Sequence, residues 1–190
     1  MKANTTINTE GITHLRKENY GAAFAAEMRA ELKRRGAKGV SIRRNRGGYT
    51  DSFTVTVKMA PEDYSTVTEA AEIYGMGEFL RDWDRRGVYI GDRWYNRGEW
   101  EGRTNDELER LRRQYLAQSI TRAREFYGQR CHERDYHWEY SQRGYERLKA
   151  IYQIINQWNW DKSDPMTDYF DVGYYLYINV QAPEGFTAVQ

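Results

Sequence analysis

The segment 38–59 constrains this chain more than any other. Val40 and Ile42 alternate with polar residues, Gly47-Gly48 supplies a turn, and Phe53, Val55 and Val57 alternate with Thr54, Thr56 and Lys58. A period of two on either side of a glycine pair predicts a β-hairpin with one buried and one wet face. Pro61 stops its second strand, because proline cannot donate to a ladder. Arg43, Arg44 and Arg46 crowd the tip of this hairpin, beside Tyr49 and Lys58.

A second β-rich run, Tyr174-Tyr175-Leu176-Tyr177-Ile178-Asn179-Val180, predicts another strand. Added to the hairpin, it gives a three-stranded antiparallel sheet with helices on one face, an α+β fold. The helices follow from apolar spacing. Phe24, Met28 and Leu32 recur every four residues, so a helix capped by Asn19 runs to about residue 35 and ends at Gly36. Its exposed face carries Arg29, Lys33, Arg34 and Arg35. Ser65 is placed to cap a short helix through Tyr74. Thr104 and Glu107 form a capping box that opens a long helix to about residue 127, with Leu108, Leu111, Tyr115, Leu116 and Ile120 on its apolar side. A second long helix is expected at 130–157, with Tyr145, Leu148, Ile151, Tyr152 and Ile155 inward, and the short joint makes an αα-hairpin. Between residues 75 and 103, glycines alternate with aromatics; a short helix at 77–85 and a strand at 88–90 are expected within an ordered loop.

At 190 residues the chain reads as one domain, 1–190, with a sheet-helix core at 18–74 and 160–180 and an aromatic-rich, helical insert at 75–158. Mean hydropathy is −0.95, yet 16 Tyr, 6 Trp and 6 Phe supply bulk for a core or an interface. With a single cysteine, Cys131, an internal disulfide is impossible, which suits a reducing compartment. No apolar leader and no run of membrane-spanning length is visible, so a cytoplasmic protein is expected. Net charge is +1 but unevenly spread: residues 1–60 hold 12 basic and 5 acidic residues, a balance of +7, and the remainder sums to −6. Such asymmetry suits a polyanion-seeking face, or simply a dipolar surface.

The candidate binding residues are therefore Arg43, Arg44, Arg46, Tyr49 and Lys58 of the hairpin, with Arg34 and Arg35 of the preceding helix. Arginine beside an aromatic suits phosphate contact and base stacking, and a two-stranded ribbon can enter a major groove. The same residues can meet an acidic protein surface, or only keep a hairpin edge soluble. Other motifs are weaker. Asp161, Asp164, Asp168 and Asp171 lack the base or lysine arrangement of a nuclease, and Asp164 before Pro165 is ordinary turn chemistry. Cys131, His132 and His137 do not converge on one point at helical spacing, so no metal is expected. Gly75-Met76-Gly77 lacks the context of a phosphate-binding loop. No nucleophile, acid and base come together, and neither an enzyme nor a cofactor is expected.

Two stretches resemble a known family. Glu31-Leu32-Lys33, Val40-Ser41-Ile42-Arg43, Gly47-Gly48-Tyr49 and Phe53-Thr54-Val55-Thr56-Val57, followed near the end by Ser163-Asp164-Pro165-Met166-Thr167-Asp168-Tyr169-Phe170-Asp171-Val172, are similar to the large polyvalent protein associated domains of phages and mobile elements, the twenty-ninth of that series. The resemblance covers about half of the chain. It implies a hairpin and a later strand beside a helix, and a mobile-element origin, with no activity assigned to the class. A short, aromatic-rich protein from that setting is similar to inhibitors of host defence such as anti-CRISPR proteins. What this implies is occlusion of a host nuclease or of its nucleic acid; the alternative is a non-inhibitory accessory factor that binds DNA or RNA.

Overall fold

Alternation in residues 40–58 does build a hairpin. In a computed structural model, which describes residues 7–12, 21–45, 52–161 and 172–190, β1 (Val40–Asn45) pairs antiparallel with β2 (Ser52–Lys58). The turn at Gly47-Gly48, Arg46, Tyr49 and the cap at Asn19 lie outside the described residues. The protein is α+β, but its main sheet has four strands in the order β1-β2-β6-β5 and is mixed. The last long strand, β6 (Tyr175–Gln181), runs parallel to β2 and not antiparallel. The alternation of apolar and polar side chains is the same in either direction, so the pattern cannot reveal which way a strand runs. The fourth strand, β5 (Glu125–Phe126), pairs antiparallel with β6. At two residues it is too short to carry a period.

By packing, the chain divides into two units. The first comprises Met1–Met59, Arg124–His132 and Glu146–Gln181. It contains the four-stranded sheet, α1 (Ala22–Arg34) and most of α5 (Gln142–Asn156). Phe24, Met28 and Leu32 of α1 are buried, as their spacing requires, with Ala25 beside them. Their side of the sheet supplies Ile42, Phe53, Val55, Val57, Ile178 and Val180. Phe24 meets Phe53, Trp158 and Tyr174 edge-on, at centroid distances of 5.8, 5.7 and 5.5 Å. Leu148, Ile151, Ile154 and Ile155 of α5 are fully buried. Burial of this kind stabilises each side chain by roughly 1.5–3 kcal/mol.

The second unit comprises Ala60–Ala123, Glu133–Tyr145 and Ala182–Gln190. It holds α2 (Val67–Ile73), α3 (Met76–Arg86), the hairpin of β3 (Val88–Ile90) with β4 (Arg93–Tyr95), and α4 (Asn105–Arg122). The expected capping box is present: Thr104 Oγ1 accepts from Glu107 N, and Glu107 accepts from Thr104 N. At α2 the cap is Thr66, not Ser65. Thr66 forms a full box with Glu69, whereas Ser65 Oγ is buried and donates to the Trp138 carbonyl at 2.8 Å. The free carbonyls at the end of α2 are met by a side chain: buried Arg112 donates from Nη1 to Ala71 and Tyr74, at 3.0 and 2.8 Å. Arginine at a helix C-terminus meets both the orphan carbonyls and the negative end of the dipole.

The expected αα-hairpin is absent. α4 ends at Arg122 and α5 begins at Gln142, with β5 and two 3-10 turns, Gly128–Arg130 and Arg134–His137, in between. His137, Trp138 and Tyr140 are all buried. Arg134 closes this stretch on itself, donating from its guanidinium to the carbonyls of His137 and Tyr140, which a continuous helix would direct to backbone N–H groups. The start of α5 is set by Ser141, whose Oγ accepts from Gly144 N. Gly144 itself has no room for a side chain, since a Cβ there would lie 1.9 Å from the Asp63 carbonyl oxygen.

Candidate nucleic-acid interface

Among the described residues, the face of the sheet opposite α1 is open. Because paired residues in neighbouring strands share a face, the register reads as cross-strand rows. Arg43, Thr54 and Tyr177 form one row; Asn45, Ser52 and Tyr175 form the next; Ser41, Thr56, Asn179 and Glu125 form a third; Lys58 and Gln181 form the last. Strand spacing of about 4.8 Å sets Arg43 and Tyr177 roughly 10 Å apart. Ser41, Arg43, Lys58, Asn179 and Gln181 are exposed, and Tyr175 and Tyr177 keep 40% and 54% of their surface in water. Thr54 and Asn45 hydrogen-bond each other through their side chains, at 3.0 and 3.2 Å. Arg43 and Lys58 have no ion-pair partner among the described residues, and the Tyr175 and Tyr177 rings make no ring contact there.

The other basic candidates are placed differently. Arg44 follows Arg43 in the strand and so points to the opposite side. Its guanidinium reaches Gly21 at the start of α1, 3.6 Å from where a Cβ would stand. Arg34 is exposed but pairs with Glu31 at 2.5 Å. Arg35, expected on the wet side of α1, is buried instead. It pairs with Glu31 at 2.6 Å and donates to the carbonyls of Asn8 and Glu10, which fastens residues 8–10 to the helix end. Position 35 follows the last helical turn, where the chain has left the 3.6-residue period that predicts exposure. The hydrogen bond from Arg34, and then that from Arg35, holds the Glu31 carboxyl down at about 2.

Periodicity in β6 makes the two tyrosines legible as outward-facing. Tyr175, Tyr177 and Asn179 alternate with Leu176, Ile178 and Val180. What local sequence could not show is that the row of Tyr177 begins at Arg43.

The remaining motifs gain little. Asp161 makes an isolated bridge with Val172, and Asp164, Asp168 and Asp171 lie outside the described residues. Among the described residues no group of His, Cys, Asp and Glu could hold a metal ion, and no helix is long and apolar enough to cross a membrane. Cys131 is half-buried, and burial pushes its thiol up, away from a reactive thiolate. No family model, no curated protein and no solved structure matches this chain.

Proposed function

We propose that the protein works by binding rather than by catalysis, and that the open sheet face contacts single-stranded nucleic acid. The observation that carries this reading is the row Arg43–Thr54–Tyr177, extended by Tyr175 and Lys58. Uncommitted cations suit phosphates, and exposed rings suit bases, each of which has a π-face whatever its sequence. A ribbon in a duplex major groove is less well supported, because β2 is paired on both sides and the hairpin is not a free two-stranded arm.

The resemblance to mobile-element domains supports a setting for this contact. In a bacterial cytoplasm, such a protein would occlude the nucleic acid of a host defence nuclease, in the manner of an anti-CRISPR inhibitor. The alternative is a nucleic-acid-binding accessory role without inhibition. A protein partner has one separate observation in its favour: Tyr89 and Trp94 face each other across β3 and β4 and are 44% and 50% exposed, the kind of aromatic pair that anchors interfaces.

The test is binding of fluorescent single-stranded oligonucleotides, and of duplexes, over a range of salt. Each phosphate contact on a single strand contributes a slope of about −0.7 in log K against log salt. A preference for single strands with a clear slope, reduced in Arg43→Ala, supports the reading. A flat profile overturns it.

A further inference from the structure

The open face ends at a cleft. β5 pairs with Ile178 and Asn179, and among the described residues no strand continues the edge of β6 from Leu176 back toward Tyr174. A space of about 570 Å³ opens there, within the range of small-ligand pockets. Tyr175 and Tyr177 line it as well as the open face, so the two are continuous. The wall is built firmly. Asn159 closes the end of the strand edge, accepting from Tyr174 N at 3.0 Å and donating to its carbonyl at 3.1 Å, as a neighbouring strand would. The Tyr174 hydroxyl donates to the Ile155 carbonyl.

The chemistry of the lining selects an occupant. Tyr127, Tyr152 and Trp160 bring flat aromatic surface to the cleft. Asn156 accepts from Asn159 at 3.1 Å, while its own amide N–H groups have no partner among the described residues. Glu125, whose carboxylate also accepts from the Tyr127 hydroxyl at 2.9 Å, and Asp161 add carboxylate oxygens, which accept hydrogen bonds from amino groups. A site that offers aromatic rings, an amide and carboxylate oxygens matches the neutral, planar, amino-bearing part of a nucleotide.

We propose that this cleft takes one unpaired nucleobase carrying an exocyclic amino group, cytosine or adenine in preference to thymine, from a strand that crosses the open face. The inference rests on the reading of that face as a nucleic-acid contact. The strand's phosphates stay at Arg43 and Lys58, one base stacks on Tyr177, and the next turns over the edge of β6. There the Asn156 amide donates to the unprotonated ring nitrogen beside the amino group, an acceptor that thymine lacks, and a carboxylate accepts from the amino group.

Two measurements on the full chain test it. In the first, cytidine, adenosine and thymidine are titrated separately while the Asn156 side-chain amide and the Leu176 backbone amide are followed by NMR. Cytidine and adenosine are expected to shift both signals at several-fold lower concentration than thymidine. In the second, oligo(dC) and oligo(dA) are expected to bind roughly five- to tenfold more tightly than oligo(dT) at one salt concentration, with Asn156→Leu bringing that ratio to about one, as expected for the loss of a hydrogen bond of about 1 kcal/mol. Equal shifts from all three nucleosides, or none, overturn the proposal. So does an extended peptide that shifts Leu176 where the nucleosides do not, which would mark the edge as a strand-docking site. If nucleosides fill the cleft with this preference but no oligonucleotide binds, the cleft assignment stands and the reading of the open face fails.

Discussion

Arg43 and Tyr177 lie in one cross-strand row of the sheet, with Thr54 of the central strand between them. The two residues are 134 positions apart in the chain. Both are exposed, so the row can be altered with little effect on the core. Arg43→Ala and Tyr177→Ala are each expected to change stability by less than about 0.5 kcal/mol. Tyr177→Ala should weaken single-strand binding by about 1–3 kcal/mol, and Arg43→Ala should lower the salt slope by about 0.7. Thermal melts beside anisotropy titrations separate the two effects.

Gly144 reverses the usual rule for glycine in a helix. Replacing glycine by alanine in a helix ordinarily stabilises by about 1 kcal/mol. Here the new methyl would lie 1.9 Å from the Asp63 carbonyl oxygen, a backbone atom that cannot swing aside. Gly144→Ala is therefore expected to destabilise by at least about 2 kcal/mol, visible as a lower midpoint in urea. An unchanged midpoint would mean that Asp63 and α5 do not approach this closely.

Arg112 is buried with its guanidinium shared between Glu109 and the last carbonyls of α2. Arg112→Met keeps the apolar stem but leaves the Ala71 and Tyr74 carbonyls without this donor. A loss of about 2–4 kcal/mol is expected. Hydrogen exchange should show the final turn of α2 opening first. Arg113→Met is the control, since Arg113 is more exposed and pairs only with Glu109 among the described residues.

Glu31 gives an acid-side prediction. Hydrogen bonds from Arg34 and Arg35 place its folded pKa at about 2, below the ordinary carboxylate value of 4.5. A lowered folded pKa means that the contribution is present above pH 4.5 and is lost as pH falls toward 2. Screening at this partly exposed site keeps it to about 1 kcal/mol. Glu31→Gln should remove that amount at neutral pH and flatten the stability profile between pH 4.5 and 2. Because Arg35 also holds Asn8 and Glu10, amide exchange at residues 8–10 should quicken in the same variant.

Local sequence determined those elements whose cause lies within a few residues. The alternation of β1, β2 and β6, the four-residue spacing of Phe24, Met28 and Leu32, and the Thr104–Glu107 box each need only backbone geometry and neighbouring side chains, and each is present in the fold. Tertiary structure decided what depends on partners far along the chain. Strand β6 runs parallel to β2 because of where the intervening 116 residues deliver it, and no period records that. The joint between α4 and α5 is held by contacts outside any helical period: Arg134 takes the carbonyls of His137 and Tyr140, and β5 pairs with distant β6. The basic candidates, close in sequence, are split in space: Arg43 stays on the open face, Arg44 turns to Gly21, and Arg35 holds the chain near Asn8. A pleat sends neighbours to opposite sides, and only the pairing of distant strands decides which residues then stand together.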